Sequence, residues 1–74
     1  MIKTIVFKRR KGLIKARIEG ELERSKAIAI AAIFENEGAK ASFQPLTDST
    51  RITIKAKGLL RPMGMRLIID ELAK

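Results

Sequence analysis

Two hydrophobic periods alternate along this chain, and the switches between them mark its elements. Residues Ile2 to Arg9 are rich in β-branched and aromatic side chains, and Leu13 to Glu19 alternates apolar with charged positions. With Arg10-Lys11-Gly12 between them as a short turn, the two segments predict a β-hairpin. From Glu21 to Glu37 the residues are good helix formers, and Gly38 follows where a left-handed C-terminal cap belongs. Lys40 to Gln44 returns to alternation and is stopped by Pro45, which has no N–H to give to a ladder. Thr47-Asp48-Ser49 has turn chemistry, and Arg51 to Lys57 sets Ile52, Ile54 and Ala56 against Arg51, Thr53, Lys55 and Lys57 in strict period two. After Gly58, Pro62 suits a first helical turn, and Met63, Leu67, Ile68 and Leu72 form a helical stripe. Gly64 inside that stripe predicts close packing or a late helix start.

The order is ββαββα in a single domain spanning residues 1–74. An α+β fold, with four antiparallel strands in one layer and two helices on one face, is the simplest arrangement that buries these stripes. Side chains alternate across a strand. If Ile5, Phe7, Ile14, Ala16, Ile18, Ala41, Phe43, Ile52 and Ile54 point to the helices, Lys8, Lys15, Arg17, Lys40, Arg51, Lys55 and Lys57 share the open face, with Glu19 the one acid of that parity. Arg9, Arg10 and Lys11 extend the positive surface to the hairpin tip.

Charge sharpens this picture, because 16 Lys and Arg face 8 Asp and Glu, a net of +8. Residues 1–17 carry seven cations and no acid, residues 19–37 five glutamates against two cations, and residues 40–66 six cations against Asp48. Glu19, Glu21 and Glu23 lack the spacing of a calcium loop and read as a solvated helix start. A one-signed sheet face concentrates polyanions and displaces their condensed counterions, which makes nucleic acid the natural partner. The three aromatic residues, Phe7, Phe34 and Phe43, all fall at core positions, so recognition through backbone and shape is expected in place of base stacking.

Composition narrows the chemistry. With no cysteine and no histidine, the chain has no disulfide, no thiolate or imidazole ligand and no ordinary neutral-pH acid/base. No glycine-rich phosphate loop or nucleophile–base constellation is visible. The expectation is a protein that is not an enzyme, with no cofactor, metal or small-molecule substrate. The longest apolar run, Ala27 to Phe34, is far short of the ~20 residues of a membrane span, and a cytoplasmic protein is expected.

That same run places apolar groups around the whole circumference of its helix, more than one sheet can cover. Ile28, Ala29 and Ala32, with Met63, Leu67 and Ile68 of the last helix, are therefore the candidate partner interface, for a homodimer or a heteromeric complex.

Residues Ala16-Arg17-Ile18-Glu19-Gly20-Glu21-Leu22, the alanine-rich helix, and Arg51-Ile52-Thr53-Ile54-Lys55-Ala56-Lys57-Gly58-Leu59 before a terminal helix resemble the small dimerisation subunit of the KEOPS tRNA-modification complex. The similarity covers about residues 13–72. It implies a subunit that pairs through strands and helices, docks by a helical face on a catalytic subunit and contributes to tRNA binding. The strand Ile2 to Arg9 and the segment Leu60-Arg61-Pro62-Met63-Gly64-Met65-Arg66 depart from that pattern. The functional expectation is an accessory RNA-binding subunit. A protein-only interaction module and a sequence-independent DNA-binding protein are the alternatives.

Overall fold

The structure, a computed structural model, describes residues 2–45 and 50–74, with side chains described for residues 4–44 and 50–74. The expected turn at Thr47-Asp48-Ser49 lies outside the described residues. The elements follow the order β1 (Ile2–Arg10), β2 (Leu13–Glu23), α1 (Arg24–Asn36), β3 (Lys40–Pro45), β4 (Arg51–Leu60) and α2 (Pro62–Ala73). The four strands form one antiparallel sheet in the order β1-β2-β4-β3. The predicted α+β architecture is therefore the observed one.

Local chemistry explains the joints. The β1–β2 turn is reduced to Lys11 and Gly12, with φ of 49° and 82°; two consecutive positive values make the type I′ turn whose twist matches a hairpin. Helix α1 ends as Gly38 predicts: at φ 79°, its N–H donates to the Glu35 carbonyl at 3.0 Å, and the Ala39 N–H donates to the Phe34 carbonyl at 2.9 Å. That pair of bonds is the Schellman arrangement. The start of α1 has no side-chain cap; instead the Arg24 N–H donates to the Thr50 carbonyl at 2.8 Å, fastening the helix to the approach of β4. Pro62 occupies the first turn of α2, as expected.

Two boundaries differ from the sequence reading. Strand β2 continues through Glu21, Leu22 and Glu23, where a helix is predicted, because buried Leu22 pairs with Ile52 and extends the alternation Ile14, Ala16, Ile18. Pairing to a long partner strand outweighs the helix propensity of two glutamates. Strand β4 likewise runs past Lys57 to Leu60, whose buried side chain pairs with Ile14.

Both helices lie on one face, α1 over β4 and β3, α2 over β2 and β4, packed against each other. They run antiparallel: Glu37 at the end of α1 meets Arg61 at the start of α2, and Lys26 near the start of α1 donates to the Lys74 carbonyl at 2.7 Å. The core consists of Ile14, Ala16, Ile18, Leu22, Ile52, Ile54, Ala56 and Leu60 from the central strands against Ala27, Ile30, Ala31, Phe34 and Ile68. Alanines on both sides of the layer let α1 approach the sheet closely. At Gly58 the approach is tighter still, since a Cβ there would lie 2.2 Å from the Ala39 Cβ.

Candidate nucleic-acid interface

Strand pairing decides which side chains share a face, because residues directly opposite in an antiparallel ladder point the same way. Lys8 is opposite Lys15, Arg17 opposite Lys57, and Lys57 opposite Lys40 on its other side. All five are on the sheet face away from the helices, together with Arg10 and Lys55, and all seven are exposed. The row crosses every strand, about 14 Å at the usual strand spacing. Along a strand, Lys15 to Arg17 and Lys55 to Lys57 are two residues apart, roughly 7 Å.

Two shallow depressions follow the row, one lined by Arg10, Lys15, Arg17, Lys57 and Leu59, the next by Arg17, Lys57, Lys55, Lys40 and Ser42 together with Glu35 of α1 at the β3 edge. They share Arg17 and Lys57, so the cations line one continuous trough. Like charges directly opposite each other destabilise a sheet. Here that occurs in three pairs on two rungs, Lys8–Lys15 on one and Arg17–Lys57 and Lys57–Lys40 on the next, with Lys57 between two cations.

Carboxylates relieve the row in part: Glu19 is directly opposite Lys55, and Glu35 of α1 lines the depression beside Lys40. Arg17 is 3.3 Å from Glu19 and remains largely exposed, a contact too open to neutralise it. Because β2 extends to Glu23, Glu19 is not the single acid of its parity, as the sequence reading holds. Glu21 and Glu23 share the open face and are not a helix start. The face is thus bipolar, cationic toward the β1–β2 turn and acidic toward the other end.

The candidate residues sort accordingly. Lys8, Arg10, Lys15, Arg17, Lys40, Lys55 and Lys57 come together, and Lys11 sits exposed at the hairpin tip. Arg51 is on the open face but at the acidic end, donating to Glu21 at 2.7 Å, and does not join the row. Arg9 is a correction: it pairs with Ile14 and so lies on the helix side, in phase with Ile5 and Phe7. None of the three phenylalanines is on the open face. Phe34 is in the core, Phe7 is half-buried on the helix side, and Phe43, also on that side, is exposed on edge strand β3.

The predicted apolar interface divides. Ile68 is fully buried beneath α2 and belongs to the core, which corrects its assignment. Ile28 and Ala32 are exposed, Ala29 is half-buried, and Met63 and Leu67 are 72% and 49% exposed. The side of α1 that carries Lys26 and Glu37 meets α2. At 100° per residue, Ile28 and Ala32 are therefore on the opposite flank, separate from Met63 and Leu67.

One contact that sequence reasoning missed joins the two helices. The Glu37 carboxylate, 7% exposed, accepts the Arg61 backbone N–H at 2.8 Å and the Arg61 guanidinium on both oxygens, at 3.1, 3.0 and 2.6 Å. Those guanidinium bonds, and next the backbone one, hold its carboxyl below the usual carboxylate range against the opposing effect of burial. The signal was Gly64, which leaves room for this carboxylate: a Cβ there would lie 3.0 Å from Glu37 Oε1.

Among the described residues, no helix is long and apolar enough to cross a membrane. No protein-family model, curated protein or solved structure matches the chain.

Proposed function

We propose that this chain is a non-catalytic accessory subunit that binds RNA through phosphate contacts on its open sheet face. The observation that carries the reading is the row Lys15, Arg17, Lys57 and Lys40, in which Lys57 is opposite a cation on both sides. Solubility alone needs interspersed signs, not a costly single-signed row. Phosphates landing in the trough relieve that repulsion and release counterions. The absence of a phenylalanine from the face favours backbone recognition over base stacking. The resemblance of residues 13–72 to the KEOPS dimerisation subunit makes tRNA the specific candidate and a tRNA-modification complex the setting. In that setting Met63 and Leu67, or Ile28 and Ala32, dock on a protein partner.

The test compares two triple variants of equal net charge. Lys15→Glu/Arg17→Glu/Lys57→Glu reverses the trough, and Arg9→Glu/Arg24→Glu/Arg66→Glu reverses exposed cations elsewhere. The trough variant is expected to lose about a hundredfold or more in tRNA affinity, the control far less. Equal losses in the two would make the binding a matter of net charge and refute the site. No tRNA binding by the parent chain, with capture of an acidic protein instead, would favour the protein-only module.

A further inference from the structure

The geometry points to β1 as a self-association edge: β1 pairs antiparallel with β1 of a second copy about a two-fold axis through Val6, fusing two sheets into one. The inference stands apart from the RNA reading and is tested without nucleic acid.

The backbone comes first. A two-residue hairpin is closed by a hydrogen-bonded pair, here Arg10 with Leu13, and hydrogen-bonded pairs then alternate along the ladder. Lys8, Val6 and Thr4 therefore turn their N–H and C=O groups toward β2, whereas Arg9, Phe7 and Ile5 turn theirs to the outer edge. A strand edge presenting such groups is a template for another strand.

The side chains favour the same partner. Ile5 and Val6 are each 44% exposed, on opposite faces of one strand, and Phe7 beside them is half-buried. Edge strands are commonly blunted by charge, proline or brevity, and the other edge of this sheet is: β3 has six residues, starts at Lys40 and ends in Pro45. From Thr4 to Phe7, β1 carries no charge. With the axis at Val6, Ile5 faces Phe7 of the second copy as a hydrogen-bonded pair, Val6 faces Val6, and Lys8 faces Thr4. Apolar groups meet at the centre, and the one like-charge pairing, Arg9 with Lys3, falls at the two ends of the seam. Alternative axes at Phe7 or Ile5 set Val6 against Lys8, or against Thr4 with Phe7 facing Lys3.

On the helix side, Ile69 is exposed on α2, the helix that packs on β2, the neighbour of β1. The second copy closes this margin. Because the axis is perpendicular to the sheet, both cationic rows remain on the same face. Together they extend over about 34 Å, close to one turn of a duplex.

The chain has no cysteine, which permits a register-specific test. Val6→Cys places two thiols across a non-hydrogen-bonded pair with Cα atoms about 4.5 Å apart, within disulfide reach. Ile5→Cys places them on a diagonal of about 8 Å, beyond it. Under mild oxidation the first is expected to form covalent dimer at least about tenfold faster than the second, given that difference in reach. In sedimentation the parent chain is expected to be a dimer, and Val6→Lys, with a charge at the axis, a monomer with unchanged far-ultraviolet circular dichroism. Equal cross-linking of the two cysteine variants, a monomeric parent chain, or a Val6→Lys variant that stays dimeric would each overturn the pairing.

Discussion

Glu37 and Arg61 join backbone and side chain in one contact where the C-terminal end of α1 meets the N-terminal end of α2. The carboxylate that closes α1 also receives the backbone N–H at the cap of α2, while the guanidinium of the same cap residue grips both of its oxygens. A negative group at a helix N-terminus is also favoured by the helix dipole. The contact ties the start of α2 to the end of α1 on the helix side of the sheet.

Its pH dependence follows from the lowered carboxyl. The contribution is fully present above the ordinary glutamate pKa, about 4.3, and is lost as pH falls through the lower folded value. Thermal melts of the parent chain and Glu37→Gln are expected to differ by a constant amount at neutral pH and to converge in acid. A difference that does not change with pH would remove the carboxylate from this role.

Glycine substitutions probe the two close approaches. Gly58→Ala sets a methyl 2.2 Å from the Ala39 Cβ and 3.0 Å from its Cα, so backbone must move. A loss of about 1–3 kcal/mol or more in denaturant unfolding is expected. Gly64→Ala presses on a carboxylate that Arg61 holds in place, and it is expected to forfeit the ~1 kcal/mol that alanine gains over glycine elsewhere in helices.

Neighbouring residues of α2 should respond in opposite ways. Ile68 is fully buried and Leu67 is half exposed. Ile68→Ala is expected to cost about 2–5 kcal/mol, and Leu67→Ala to stay within about 0.5 kcal/mol while weakening any complex made through the helix face. Comparable losses in unfolding would place Leu67 in the core.

How much of this was legible in the sequence depends on the residue. The period-two runs gave the strands, and Gly38 and Pro62 gave helix limits, because those signals act within a few residues. The parity that put Lys15, Arg17, Lys55 and Lys57 on one face also holds, since strand phase is local. Glu21 and Glu23 misled because their fate was decided by β4, 30 residues away, through Leu22 and Ile52. The phase of Ile5 and Phe7 already places Arg9 on the helix side, although it adjoins Arg10 and Lys11 in one basic run. Ile68 was ambiguous because a helix apolar on most sides does not declare which side the sheet takes.

The row of like charges makes the free protein less stable than it need be. Lys57→Thr removes the cation that faces both Arg17 and Lys40, and is expected to stabilise the chain by roughly 0.5 kcal/mol at low salt, with the gain shrinking as screening grows. The same substitution should weaken polyanion binding. A variant that is destabilised at low salt would mean that Lys57 is already neutralised.

The most direct measurement is tRNA affinity across a series of salt concentrations. Engagement of about five phosphates predicts that log K falls against log salt with a slope near −4, and that Lys57→Thr reduces that slope by about one. A slope near zero, or one that Lys57→Thr leaves unchanged, would contradict phosphate docking on the open face.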